Sequence, residues 1–371
     1  MPAKQVQFGK LVPSHIQALT SYIPSKPDSV LQEMFQCPVI YRLNNNENAL
    51  GPAPEAIKAI QAFQPAQAAV YPSGDAYLLR HRLAECFGHE PDAFLVGNGA
   101  NEVIAFVVKA FCQAGDNIVT ADKTFAVYEW VAQFSEVEPR LIPLKDYGFD
   151  REAMLRAVDE RTKALFICNP NNPTGSYWTE EQVRHLMEKV NGRQIVVLDE
   201  AYAEFVEAAD FPDGMKLIKE YPNLVVFRTF SKMYGLAALR IGYLAGAPEV
   251  VDVIRRTCVV YSVNALAQTA ALASLENDGG HVAATRLMVR EAKAFLREEL
   301  ARMGLFYVAG EGNYMMIRLP FSDTLAYRSL MRQGMMVRTM TGFRFPNHIR
   351  VTMNTLPVME KFIKALRTVV K

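Results

Sequence analysis

Lys232 closes the segment Arg228-Thr229-Phe230-Ser231-Lys232, directly behind a strand-like apolar run, Leu224-Val225-Val226-Phe227. Ser231 precedes it, and Arg240 follows eight residues later, after Gly235-Leu236 and Leu239. A lysine amine can hold an aldehyde as a Schiff base while hydroxyls and a guanidinium hold a phosphate on the same molecule. Pyridoxal phosphate is such a molecule. A Ser-Lys pair alone is ordinary surface chemistry, so the assignment depends on what stands elsewhere in the chain.

Two segments supply that support. In Phe166-Ile167-Cys168-Asn169-Pro170-Asn171-Asn172-Pro173-Thr174-Gly175 an apolar strand runs into a rigid turn. The prolines set two φ angles and Gly175 permits a positive one, so an Asn amide can be aimed at a ligand. In Ile195-Val196-Val197-Leu198-Asp199-Glu200-Ala201-Tyr202 a buried parallel strand ends on a carboxylate. Asp199 there can pair with a protonated pyridine nitrogen, which makes the ring a better electron sink, and Tyr202 can reach the phenolic oxygen. As a plain alternative, Asp199 caps the next helix.

A phosphate site follows from a third segment. Phe94-Leu95-Val96 reads as a strand, Gly97 and Gly99 allow a tight turn, and Val103 to Val108 reads as a buried helix. Free N–H groups at that helix start favour a phosphate near Gly99, Ala100 and Asn101. The spacing lacks the full Gly-x-Gly-x-x-Gly of a dinucleotide site, which argues against a nicotinamide cofactor.

Asn-Pro-Asn-Asn-Pro-Thr-Gly, Asp-Glu-Ala-Tyr and Thr-x-Ser-Lys-x-x-Gly-Leu-x-x-Leu-Arg occur here in that order. Together they resemble the fold-type I pyridoxal-phosphate aminotransferases, and within them the histidinol-phosphate aminotransferases. Leu43-Asn44-Asn45-Asn46-Glu47-Asn48-Ala49-Leu50-Gly51-Pro52 is similar to that family's Asn-Glu-Asn-Pro-Leu-Gly segment, with Ala49 in place of Pro. Tyr71-Pro72, Gly97 to Glu102, Met336-Val337-Arg338 and Ile349-Arg350-Val351-Thr352 also match. The resemblance runs from about Tyr22 to Leu366.

The resemblance implies roles. Lys232 is the Schiff-base lysine and proton carrier at Cα, and Asp199 the pyridinium partner. Asn172 and Tyr202 meet the phenolic oxygen, and Phe125 stacks on the ring where Tyr is more usual. Ser231, Arg240 and, more weakly, Thr229 hold the phosphate, with Tyr71 arriving from a partner subunit. Arg350 receives the substrate's anionic group, helped by Tyr22 and Arg338. The implied cofactor is pyridoxal 5'-phosphate. The implied assembly is a homodimer.

Composition narrows the class. The 371 residues predict two domains, and 50% are hydrophobic, enough for a large core. A net charge of +1 argues against nucleic acid or an anionic membrane as partner. Five dispersed cysteines, without Cys-x-x-Cys, read as reduced thiols of a cytoplasmic protein. The six histidines have no metal-ligand spacing. No apolar run approaches the ~20 residues of a membrane span, and the first residues carry no secretory apolar segment.

Strand-like runs near 94–96, 117–120, 140–143, 164–168, 195–199, 224–228 and 241–245 alternate with helical or polar segments. The expected fold is α/β of the fold-type I transferase kind: a large domain around a mainly parallel seven-stranded sheet, plus a smaller α+β domain. The resemblance sets the last strand antiparallel. Residues 1–45, which carry Pro13, Pro24, Pro27 and Pro38, read as an irregular arm shared by the small domain and a dimer interface; 46–260 as the cofactor domain; 261–371 as the small domain.

Two functions remain open. One is transfer of an amino group between an amino donor and a 2-oxo acid or related carbonyl acceptor, in amino-acid biosynthesis, with histidinol phosphate and glutamate/2-oxoglutarate first among substrates. The other keeps fold, cofactor and lysine but decarboxylates, eliminates or cyclises. Thr339-Met340-Thr341 stands where the histidinol-phosphate enzymes continue with Pro, a departure that bears on the substrate. A binding protein on an inactive fold is disfavoured, since every cofactor-contacting position is filled.

Overall fold

The computed structural model describes residues 8–21, 24 and 26–370. A first short strand, β1 (Tyr41–Leu43), is followed by β2 (Phe94–Gly97), β3 (Asn117–Ala121), β4 (Glu138–Ile142), β5 (Thr162–Cys168), β6 (Ile195–Asp199), β7 (Leu224–Thr229) and β8 (Gly242–Gly246). The last seven form one sheet in the order β2-β8-β7-β6-β5-β3-β4. β4, β3, β5, β6 and β7 pair in parallel, while β8 runs antiparallel to both β7 and β2. Every residue of β3 is buried, as a strand covered on both faces requires. Pro139 sits in the edge strand β4, where a missing N–H leaves no ladder bond unmade on the open side.

Local sequence sets the crossovers. The helix Glu180–Val190 between β5 and β6 begins on a capping box. The Gln182 amide N–H donates to the Thr179 hydroxyl, and the Thr179 N–H donates to the Gln182 side chain. Because β5, β6 and β7 are neighbours in parallel register, their carboxyl ends, at Cys168, Asp199 and Thr229, open onto one edge of the sheet. A ligand site is expected at such an edge.

The second sheet carries β9 (Tyr307–Val308), β10 (Tyr314–Arg318), β11 (Met335–Thr339) and β12 (His348–Thr352), in the order β1-β11-β12-β10-β9. The helices His281–Arg302, Asp323–Met331 and Leu356–Val370 supply the rest of its core, with Leu296, Leu300, Ala326, Leu330, Phe362 and Leu366 fully buried. The described part of residues 1–45 is less irregular than its prolines suggest. Asp28–Phe35 is helical, and Tyr41–Leu43 adds to the sheet edge by pairing in parallel with Met335–Val337. The strand depends on an edge some 290 residues away, so nothing local announces it. The helix Ala265–Glu276 lies beyond the expected boundary at 260, yet Ala267, Ala270 and Ala271 pack in the core of the larger sheet.

The two cores meet closely. Tyr202 and Met233, from the turns after β6 and β7, are buried among small-domain residues. Backbone meets backbone where the Glu311 N–H donates to the Gly175 carbonyl at 2.8 Å. A Cβ on Gly310 would lie 2.2 Å from that carbonyl group.

Candidate active site

The turn after β7 presents Lys232 to a cavity of about 410 Å³ at the carboxyl edge of the large sheet. Phe230 is buried beneath the turn and hydrogen-bonds through its backbone to Ile241 and Leu236. Gly235, at φ +67°, closes it, and a Cβ there would meet the Gly51 carbonyl at 2.1 Å. The Lys232 amine donates to the Asn45 carbonyl at 2.7 Å. Although one face opens to the cavity, protein surrounds the amine. Burial, with Arg350 and Arg240 nearby and only Glu47 opposing them, lowers its pKa to about 7. The neutral nucleophile is therefore abundant near neutral pH.

Asp199 stands at the end of β6, 2% exposed. Its carboxylate accepts the Tyr128 hydroxyl at 2.5 Å and the Ala201 N–H at 3.1 Å. The second contact is the local cap expected of an Asp here, but it occupies only one oxygen's direction. Burial pushes the Asp199 carboxyl up, and the Tyr128 hydroxyl works against that rise. A buried carboxylate facing a cavity gains most from a cationic partner inside it. Tyr202 accepts the Asn46 amide at 2.9 Å, and Phe125 lines the cavity and meets Tyr128 edge-on.

The residues expected around a phosphate lie together. Gly99, at φ +83°, is the N-cap of the helix Ala100–Phe111, which runs three residues beyond the apolar pattern Val103–Val108 at each end. Arg240 lies against Gly99 so closely that a Cβ would meet its Nη2 at 2.5 Å. Arg240 itself takes a left-handed conformation, φ +59°, and one Nη donates to the Ala237 carbonyl at 3.0 Å. Ala100, Asn101, Thr229 and Ser231 line the same end of the cavity. The Thr229 hydroxyl accepts the Ser231 N–H at 3.1 Å and so is partly committed to the turn.

The small domain brings two arginines. Arg338 on β11 and Arg350 on β12 are direct partners across the antiparallel ladder, and both line the cavity. Arg350, 4% exposed, donates to the Asn172 side-chain oxygen and to the Asn44 carbonyl at 2.6 Å, while its Nε is buried without a partner. Neither guanidinium meets a carboxylate among the described residues; burial lowers the pKa of Arg350, and Arg338 adds to that fall. Like charges directly opposite on a ladder repel. Lys232, Arg240, Arg338 and Arg350 face Asp199 as the one acidic lining residue, so the cavity attracts anions.

The aminotransferase class I and II family matches residues 38–366. The chain belongs to that family. It is 38% identical to histidinol-phosphate aminotransferase 2 of Pseudomonas fluorescens, over 98% of each chain. It is likewise 38% identical to histidinol-phosphate aminotransferase of Symbiobacterium thermophilum, over 95% of this chain and 96% of that one. Its fold is similar to that of the Sinorhizobium meliloti histidinol-phosphate aminotransferase solved in complex with pyridoxal-5'-phosphate. That match has a TM-score of 0.86 at 24% identity and covers 97% of both chains. Thermus thermophilus aspartate aminotransferase with maleate matches with TM-score 0.82 at 22% identity, over 96% and 99%.

In this aminotransferase, thirteen of the residues singled out from sequence gather at one cavity or directly behind it, as Gly99 does. Tyr71 does not: it is 80% exposed and stacks on Tyr261 at 4.8 Å. Tyr22 lies outside the described residues. Sequence reasoning missed Tyr128, Asn46 and Phe343. Tyr128 stands three residues beyond Phe125 and reads as a core aromatic on a helix. Asn46, at φ +57°, is held by Thr352 and Tyr202, two contacts that no local pattern predicts.

Proposed function

We propose that this aminotransferase moves an amino group between histidinol phosphate and 2-oxoglutarate, in amino-acid biosynthesis. The observation that carries the reading is the Arg338–Arg350 pair, two adjoining guanidiniums without carboxylate partners in an otherwise cationic cavity. Such a pair suits a phosphate monoester or a dicarboxylate, and both named substrates are dianionic. The kinship at 38% identity to histidinol-phosphate aminotransferases supports the same choice.

The cofactor is pyridoxal 5'-phosphate, which when bound supplies an electrophilic aldehyde and a ring that accepts the electron pair of the substrate's Cα–H bond. The chain's own residues do the rest. The helix start at Gly99, Ala100 and Asn101, with Ser231, Arg240 and Thr229, would hold the phosphate. Asp199, oriented by Tyr128, would favour a protonated ring nitrogen, and Phe125 would wall the ring. Tyr202 and the Asn172 amide N–H₂ would hold the phenolic oxygen, the Asn172 oxygen being committed to Arg350. Lys232 would supply the amine that anchors the aldehyde and the base that moves the proton at the substrate's Cα.

A homodimer brings Tyr71 to the partner's phosphate site, the chain divides after the helix Ala265–Glu276 rather than at 260, and the enzyme works in the cytoplasm. Among the described residues no helix is long and apolar enough to cross a membrane.

The test is to follow the cofactor's spectrum while purified protein meets histidinol phosphate, glutamate and a panel of amino acids. Exchange of the amino group with 2-oxoglutarate is expected. Arg350→Lys, which keeps the charge and loses the fork, should lower kcat/KM by about tenfold with the resting spectrum intact. Release of carbon dioxide, or an eliminated or cyclised product, would replace transamination by the other class.

A further inference from the structure

Arg344 follows the short helical turn Thr341–Phe343 and takes a left-handed backbone, φ +61°, a conformation that favours glycine. Its side chain crosses to the other domain. One Nη donates to the Asp122 carbonyl at 2.7 Å; the other meets both oxygens of Glu129, at 2.9 and 3.0 Å. Asp122 and Glu129 bracket Phe125 in sequence. Phe343, the neighbour of Arg344, lines the cavity with Phe125, and its ring lies within 6 Å of both arginines, 5.7 Å from Arg338 and 5.9 Å from Arg350.

The loop's other end is anchored independently. Asp323, buried, accepts the Met340 N–H, the Thr341 N–H and the Thr341 hydroxyl. Met340 and Phe345 pack in a small core with Met316, and Tyr147 of the large domain stacks on Phe345. Arg344 is thus the polar link between a loop already tied to the small domain and the segment that carries Phe125.

We propose that Arg344 is a positioning residue: its ion pair with Glu129 and its bond to the Asp122 carbonyl hold Phe343 and Phe125 as opposed walls of the substrate cavity. Phe343 then fixes the aspect of Arg338 and Arg350 toward the substrate's anion, and so sets which anionic substrates fit. The consequence for substrate choice rests on the histidinol-phosphate reading; the link itself does not.

Arg344→Gly removes the side chain and suits the backbone, so the fold is expected to keep its thermal midpoint. Arg344→Gly and Glu129→Gln should each raise KM for histidinol phosphate by about fivefold or more with kcat nearly unchanged, and the double variant should do no worse than either single one. Hydrogen exchange of the full-length protein without substrate supplies the second readout. In both single variants, amides of 122–129 and of 341–345 should exchange faster together. Additive losses, unchanged KM, or faster exchange confined to one segment would overturn the proposal. If wild type does not use histidinol phosphate, the functional reading fails and the exchange result alone decides the link.

Discussion

Asp199 and Lys232 face one cavity with opposite protonation problems. Burial raises the carboxyl and lowers the amine, and a different neighbour moderates each. Tyr128 is the moderating neighbour of Asp199. Tyr128→Phe removes one hydrogen bond to a buried carboxylate, so turnover should fall by about tenfold, the equivalent of ~1.4 kcal/mol. Steady-state kinetics check this; wild-type turnover would reduce Tyr128 to packing. For Lys232, cofactor-free protein should capture pyridoxal phosphate at a rate that climbs as pH rises through about 7 and then levels. An inflection near the ordinary 10.5 would mean the amine is not desolvated. The sign for stability follows. Between about 7 and 10.5 the unfolded chain holds a proton that the folded one lacks. This group's contribution to the cofactor-free fold therefore rises with pH through that window and is constant below it.

At the scale of elements, the site is an assembly of strand ends. Alternation and apolar runs made β5, β6 and β7 legible, because each is a local pattern, and their carboxyl ends follow from parallel pairing. One of the contacts that sets the second sheet against the first is the backbone contact of Gly310 with Gly175. Gly310→Ala must push that contact apart, at a cost of about 1–3 kcal/mol. Thermal denaturation beside Gly342→Ala makes the comparison, since Gly342, like Gly310, lacks a positive φ but has open space around it. A midpoint drop no larger than the Gly342→Ala drop would show that the domains adjust freely.

The whole molecule carries an apolar patch away from its cavity. Val70, Tyr71, Val259, Val260 and Tyr261 are all exposed, and Tyr71 lies on Tyr261 rather than in the site. Covering this patch with a second copy is the arrangement proposed above, and it gives Tyr71 a use. Sedimentation should find a dimer. Val260→Asp should shift it to monomer and weaken cofactor retention. A wild-type monomer at micromolar concentration with full activity would remove both the dimer and the role of Tyr71.

The sequence by itself determined the sheet and the candidate residues that its strand ends gather at one cavity. Asp199 ends a strand, Lys232 and Asn172 stand in the turns after two others, and a strand with its turn is written in a dozen adjacent residues. Tertiary structure decided what depends on distant partners. β1 became a strand only beside β11, and Tyr202 found Asn46 across 156 positions. Arg344 found Glu129 across 215. Arg338 and Arg350 became a pair because two antiparallel strands settled in one register, in which a slip of one residue would turn one of them from the cavity.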